Sequence, residues 1–510
     1  MAQVTIAFNA WQAGNVAPSR HEVPIVAPKS IIKLEPVSSR LKGELIHPNR
    51  TGTLWDIDFS PDGKRLVASD YPGGVVVVWD VATGKELTTI EAGYGYRSGG
   101  VCVVSPDWQT LFIPRGKRKA VAVEQGGKRQ RRWEMDGDVR AFDLATGQLR
   151  RTYKHEPPRN ILRMRLSPDG SRFLTFEELP GTSELGPRQA VSLWDVQTDQ
   201  YRSLPANPQA VSFSPDGRTL AFAAADENDS IYALKLLELA TGQEKLSIPI
   251  KDKYRSSPYG AGAVRFSPDG RTLGLATIDQ DGYTHALKLF ALATGREKLS
   301  IPIKDKNVWC AFPTFSSEGR VLVGDYQVIE RSTRPRKSRT WLKWWDAETG
   351  AELGSFAPED QNNGFFSSFS PDGHTLASLD WRGEKTKLYL FHGQDHQPAK
   401  TLVLALKEKG EQTIPPGLLF SPDGKWLVVY TQSLPDTPND EDLDVQDVQQ
   451  PRIHLIDVPA GEVRETLVAP QGFGRSLRFS PDGKTLATCG YGRVLLWDLA
   501  RLPGAAGPAR

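Results

Sequence analysis

Cysteine is scarce. Cys102, Cys310 and Cys489 are the only three in 510 residues, far apart and odd in number, which argues against a disulfide framework. Long apolar runs are missing too, with no stretch near the roughly 18 residues that span a bilayer. Residues 1–10 lack a basic region followed by an apolar run, so no secretory signal is expected. With so few cysteines, this makes a reducing compartment, the cytoplasm, the expected location. Neither sign of charge dominates: 63 Lys and Arg face 61 Asp and Glu, and a net charge of +2 supplies no general attraction to nucleic acid or membranes. No long helical period is present, and no Gly-x-Ser-x-Gly, Cys-x-x-Cys or phosphate-loop motif. His392, Asp395 and His396 fall together in a turn, but a turn without supporting ligands is a poor metal site. The cysteines sit in apolar strand contexts and read as small core residues.

What abounds is punctuation. The 46 glycines and 37 prolines are spread along the chain, with short apolar runs between them, the pattern of many short strands joined by tight turns. One phrase returns throughout: an apolar run, Ser-Pro-Asp-Gly, and a second apolar run. It is complete at 60–63, 167–170, 214–217, 267–270, 370–373, 421–424 and 480–483, and degenerate at 105–108 and 316–319. The serines are 45 to 62 residues apart, a period of about 50 that falls in the range of propeller arrays. Pro presets φ for the second turn position, Asp bonds the turn backbone, and Gly takes the positive φ that follows. Alternating residues on either side, such as Val211 and Phe213 before and Leu220 and Phe222 after, make each phrase a β-hairpin.

A second signal follows each first one: an apolar strand ending in aromatic-Asp, then Thr-Gly. Trp79-Asp80 precedes Thr83-Gly84, Phe142-Asp143 precedes Thr146-Gly147, and Trp345-Asp346 precedes Thr349-Gly350. Trp194-Asp195 and Trp497-Asp498 carry the dipeptide alone. Each unit thus reads as strand a, Ser-Pro-Asp-Gly turn, strand b, variable connection, strand c, Thr-Gly turn, strand d. Four short strands cannot bury both faces alone; packing successive sheets around an axis does.

These turns, and the Trp-Asp dipeptides at 79, 194, 345 and 497, make the chain similar to the WD-repeat β-propeller family over about residues 40–500. The Gly-His dipeptide that usually precedes strand a is missing, so the family's Asp-His-Ser-Trp network is not expected. The predicted fold is all-β: a single propeller of four-stranded antiparallel blades, nine of them, with eight as the alternative. Residues 1–39 are expected to form an extension and 501–510 a tail. The residues after Trp497-Asp498 are rich in Gly and Pro and poorly suited to an outer strand. Residues 41–47 are therefore predicted to supply strand d of the last blade and close the ring.

Segments 233–253 and 286–306 match at 18 of 21 positions with an offset of 53 residues, the mark of a copied blade segment. The a–b and c–d turns share one end of the ring, and the b–c and d–a connections, which hold nearly all the length variation, share the other. Three b–c loops stand out there. Segment 115–137 carries Arg115, Lys117, Arg118, Lys119, Lys128, Arg129, Arg131 and Arg132 for a net of +5. Segment 331–343, with Arg331, Arg334, Arg336, Lys337, Arg339 and Lys343, has +6, and segment 436–447, including Asp440, Glu441 and Asp442, has −6. The expected function is a non-catalytic protein-binding scaffold, monomeric alone and without cofactor, whose partner meets these loops. The alternatives are a lactonase-like hydrolase, which would need inward carboxylates or histidines on strand a, and nucleic-acid binding through the two basic loops. Near-neutral charge and the acidic loop oppose the latter, and the balanced charge and the lack of a long apolar run give no reason to expect a membrane.

Overall fold

The computed structural model describes residues 41–500 except 48–52, 92–101, 183–188, 256–263, 331–336, 359–364, 436–450, 470–475 and some shorter segments. The strands fall where the turn phrases place them. Nine antiparallel meanders follow one another along the chain. Blade 1 has strands a to d at Thr53–Phe59, Arg65–Tyr71, Val75–Asp80 and Glu86–Glu91. Blade 9 takes strands a to c from Ser476–Phe479, Thr485–Gly490 and Arg493–Asp498. Its strand d is Leu41–Ile46, antiparallel to strand c with Leu41 opposite Trp497 and Ile46 opposite Arg493. The ring is closed by the N-terminal strand as predicted, with nine blades rather than eight.

The repeated turn owes its shape to its own side chains. In blade 1 the Gly63 N–H donates to Ser60 O (2.8 Å), the Arg65 N–H to Ser60 Oγ (2.8 Å) and the Lys64 N–H to Asp62 Oδ1 (3.0 Å). The Ser60 hydroxyl, then the Lys64 amide, hold the Asp62 carboxyl below its ordinary value. Gly63 and Gly483 both sit at φ +69°, which only glycine adopts without cost. The degenerate second copy keeps the geometry with Trp108 at φ +58°. Its indole compensates by burying itself at the blade 1–2 junction, beneath the Arg65 guanidinium at 5.5 Å. The c–d turn is equally local: the Thr83 N–H and hydroxyl both donate to Asp80 Oδ1, at 2.8 and 2.7 Å.

Successive a–b turns also touch. A Cβ on Gly63 would lie 3.4 Å from Pro481 of the preceding blade, one on Gly217 3.3 Å from Pro168, and one on Gly483 3.7 Å from Pro422. Proline and glycine thus meet head to tail around much of one end of the ring.

Each junction between blades has its own apolar cluster. The tryptophans that end strand c pack on the blade before: Trp79 on blade 9, Trp194 on blade 2, Trp345 on blade 5 and Trp497 on blade 8. At about 1.5–3 kcal/mol per buried aliphatic or aromatic side chain, these junctions, and not the isolated sheets, hold the ring together. The three cysteines are buried within it. Burial pushes the Cys102 thiol up to about 12 and raises Cys310 as well, so neither is poised to react.

The copied segments keep one ion pair each, Lys235 to Glu244 (2.7 Å) in blade 4 and Lys288 to Glu297 (3.1 Å) in blade 5. Their tails diverge. Strand d of blade 4 runs Glu244–Arg255, with Tyr254 and Arg255 paired to Ile231 and Ser230. Strand d of blade 5 stops at Arg296–Pro302, and Asp305 beyond it accepts a hydrogen bond from the Tyr326 hydroxyl of blade 6 (2.7 Å).

Candidate partner-binding face

The b–c and d–a connections share one end of the ring. Glu411–Thr413, between blades 7 and 8, pairs there with Ser433–Pro435, which follows strand b of blade 8. The basic segment 115–137 on this end is not a loop. Strand b of blade 2, Thr110–Gln125, and strand c, Lys128–Asp143, pair without interruption from Thr110 opposite Asp143 to Gln125 opposite Lys128. The reason lies in the charges. Lys117 stands opposite Asp136 and Lys119 opposite Glu134, so the acids of the segment face its bases across the ladder. The result is a two-stranded ribbon rising from the blade.

The base of the ribbon is fixed by blade 3. Gly116 and Gly137 are cross-strand partners, and the entry to strand a of blade 3 (Asn160–Leu166) crosses them. A Cβ on Gly116 would lie 2.3 Å from Ile161 O, and one on Gly137 2.4 Å from Arg159 O, so only glycine fits. Arg118 Nη1 donates to Glu178 Oε1 (2.6 Å), with its guanidinium 5.1 Å from the Trp133 ring. Asn160 Nδ2 donates to the other Glu178 oxygen (2.6 Å). Arg115 Nε stands 3.4 Å from Asp138 Oδ1. Gly181–Thr182 of blade 3 pairs with Trp133 and Arg132 as a third strand.

Of the cations expected to meet a partner, Arg115 and Arg118 therefore serve the ribbon itself. Lys117, Lys119 and Arg132 are exposed on it. Arg129 and Arg131 belong to its strand c, with side chains outside the described residues. In blade 6 the expected loop is again mostly strand: strand b is Val321–Glu330 and strand c Lys337–Asp346, which takes in Lys337 and the exposed Arg339. Arg334, Arg336, Asp440, Glu441 and Asp442 lie outside the described residues.

A histidine network forms in blade 3 without a Gly-His dipeptide. Trp194 Nε1 donates to Thr175 Oγ1 (2.9 Å), and the Thr175 hydroxyl donates to the Glu177 carboxylate. His155 Nε2 lies 2.9 Å from Glu177 Oε1, and Arg159 Nη1 donates to Glu177 Oε2 (2.7 Å). Burial alone would raise the Glu177 carboxyl. His155, Thr175 and Arg159 outweigh it and hold the group below its ordinary value. The histidine comes from Lys154-His155, and Glu177 is the centre on which Thr175, His155 and Arg159 converge.

One set of residues escaped the sequence reading. The first strands of blades 9 and 1, 2 and 3, 4 and 5, and 7 and 8 approach one another, which places strand a innermost. The residue two positions before each turn serine is Asp58, Val103, Arg165, Ser212, Arg265, Thr314, Ser368, Leu419 and Arg478 in blades 1 to 9. All nine are half-buried or exposed, whereas the residue just before is buried in eight of the nine blades. They stand at one level of the innermost strands, on the side of strand a that is not packed into the blade junctions. The inward carboxylates that a hydrolase would need are Asp56 and Asp58. Burial pushes Asp56 up to about 6, with Arg478, 3.5 Å away, opposing and Asp58 adding to the shift.

Residues 41–80 and 473–498 match the family model described as WD domain, G-beta repeat. The first segment is strand d of blade 9 followed by strands a to c of blade 1, and the second covers strands a to c of blade 9. No curated protein matches by sequence. Among solved structures, the chain overlaps one titled dihydro-heme d1 dehydrogenase NirN in complex with DHE, at 17% identity and TM-score 0.46, over 81% of this chain and 75% of that one. A structure titled crystal structure of the eukaryotic initiation factor overlaps at 13% identity and TM-score 0.42, over 85% and 81%. One titled structure of Dos1 propeller overlaps at 12% identity and TM-score 0.46, over 90% and 95%.

Proposed function

The chain is a WD-repeat β-propeller, and from that premise we propose that it is a non-catalytic scaffold whose protein partner docks on the end bearing the b–c and d–a connections, against the blade 2 ribbon. The observation that carries this reading is the ribbon itself: braced by a third strand and by Arg118, it holds Lys117, Lys119 and Arg132 out in solvent. A rigid support with individual projections at one end is how loop-bearing scaffolds present binding residues. The other end is built from turns that repeat one chemistry. The exposed cations suit an acidic partner surface. Surface charge acts mainly on encounter, and its reach is about 8 Å at physiological salt.

The test is affinity capture with the full chain, followed by association rates with the captured protein at two salt concentrations. Neutralising Lys117, Lys119 and Arg132 together is expected to slow association about tenfold at low salt and to flatten its salt dependence. Neutralising Lys64 and Lys484, on the turn end, is expected to change little. A larger effect from the second pair places the partner on the wrong end, and capture of nucleic acid alone overturns the protein-scaffold reading.

A further inference from the structure

We propose that the lumen of the ring contains an oxyanion site between blades 3 and 5, in which Arg165 and Arg265 clasp a phosphoryl or carboxylate group above Ser212. The three residues occupy consecutive places in the lumen-lining set: arginine, serine, arginine. The side chain between the two long cationic ones is short, and the Ser212 hydroxyl donates to the carbonyl of Phe213 beside it (3.3 Å). Arg163, one alternation along the same strand as Arg165, reinforces the positive side. Its guanidinium lies 4.2 Å and that of Arg165 5.5 Å from the ring of Phe176, an aromatic surface that restrains both.

The opposite side of the lumen is different. Arg478 has Asp56 at 3.5 Å and lies close enough to Asp58 to oppose the burial that raises its carboxyl, so its charge is answered within the protein. Among the described residues no carboxylate stands at ion-pair distance from Arg165 or Arg265. The neighbours that Arg165 does sense are like charges. Burial, then repulsion from Arg163 and Arg265, depress it to about 10, and burial depresses Arg265. Arg265 is nonetheless exposed to the lumen, walled by protein but open to solvent and to a small solute. Confined cations that repel one another across blade 4 are stabilised by an anion that bridges them. The planar guanidinium matches the paired oxygens of phosphate or carboxylate.

The experiment is isothermal titration calorimetry of the full chain with inorganic phosphate and, separately, with succinate. At least one anion is expected to bind, and the one that does identifies the group recognised. Arg165→Gln and Arg265→Gln are each expected to weaken binding about tenfold, a loss of about 1.4 kcal/mol. Arg218→Gln, on the exposed turn of the intervening blade, should leave it unchanged. Both variants should also melt above the wild type without anion, because each removes a repulsion. If neither anion binds the wild type at millimolar concentration, or if Arg165→Gln/Arg265→Gln keeps wild-type affinity, the site is refuted. Should that double variant not fold, a wild-type crystal soaked in tungstate decides: density between Arg165 and Arg265 is expected, and density only elsewhere overturns the proposal.

Discussion

Two junctions of the ring meet the same packing demand with different chemistry. Between blades 9 and 1 the core of the contact is apolar: Leu54, Ile57 and Trp79 of blade 1 close on Leu45, Ala487, Cys489, Val494 and Leu496 of blade 9, with the Asp56–Arg478 pair at the lumen edge. Between blades 2 and 3 an aromatic core of Tyr153, Phe173 and Trp194 lies beneath a polar layer of Arg118, His155, Arg159, Asn160, Glu177 and Glu178. Apolar packing is not directional, so it accepts a strand from the far end of the chain. A buried polar layer holds only when every group keeps its partner, and removing one leaves another unsatisfied. The ring is sealed where its chemistry is least demanding, and the ribbon is braced where it is most demanding.

The sharpest way to break the first junction is to remove its strand. Deleting residues 1–50 takes Leu41–Ile46 from blade 9 and uncovers the cluster around Val494. The expected loss is on the order of 4 kcal/mol or more, read by urea denaturation, while trimming 501–510 should have little effect. Equal losses would mean that the closure does not carry the stability assigned to it. At the second junction, Gly137→Val sets a side chain against the Arg159 carbonyl, where a Cβ would stand only 2.4 Å away. That backbone must shift, and a loss of about 3 kcal/mol is expected. Gly483→Val meets nothing closer than Pro422 at 3.7 Å and is penalised through its φ of +69° alone. About 2 kcal/mol is expected there, and a melting curve equal to wild type would refute the turn assignment.

The two junctions should also answer pH with opposite signs. Asp56, beside Arg478 at the lumen edge of the 9–1 junction, is raised to about 6 when folded. Between its unfolded value near 4 and about 6 the folded chain binds more protons, so this group's contribution falls as pH rises, on the order of 1–2 kcal/mol after allowance for solvent in the lumen. Glu177 is lowered when folded. Its contribution is present above the ordinary glutamate value and is lost as pH falls through the folded one. Asp56→Asn should therefore gain on wild type as pH rises from 4 to 7, and Glu177→Gln should lose. Matching trends in urea denaturation at the two pH values would break the contrast.

What the sequence disclosed follows the range of each signal. The turns were legible because Ser60, Asp62 and Gly63 make their hydrogen bonds within five residues. The closing strand was legible because the last blade visibly lacked one. The ribbon was not: net charge counted along the chain ignores that Lys117 faces Asp136 and Lys119 faces Glu134. Nor was the task of Arg118, whose partner Glu178 is 60 residues away. The lumen residues were present in the sequence all along, but Arg165, Ser212 and Arg265 form a column only when the nine repeats are superposed on their serines.

The head-to-tail meeting of proline and glycine turns bears on how such a ring lengthens. A copied blade brings a proline for its successor's glycine and a glycine for its predecessor's proline, so it can be spliced in without presenting either neighbour with unfamiliar chemistry. The offset of 53 residues between 233–253 and 286–306 is the scar that such a splice leaves. The circumference is therefore quantised. Evolution can widen or narrow this ring by whole wedges, each change altering which side chains face one another across the lumen, while a fractional insertion would carry Leu41–Ile46 out of reach of the strand it must join.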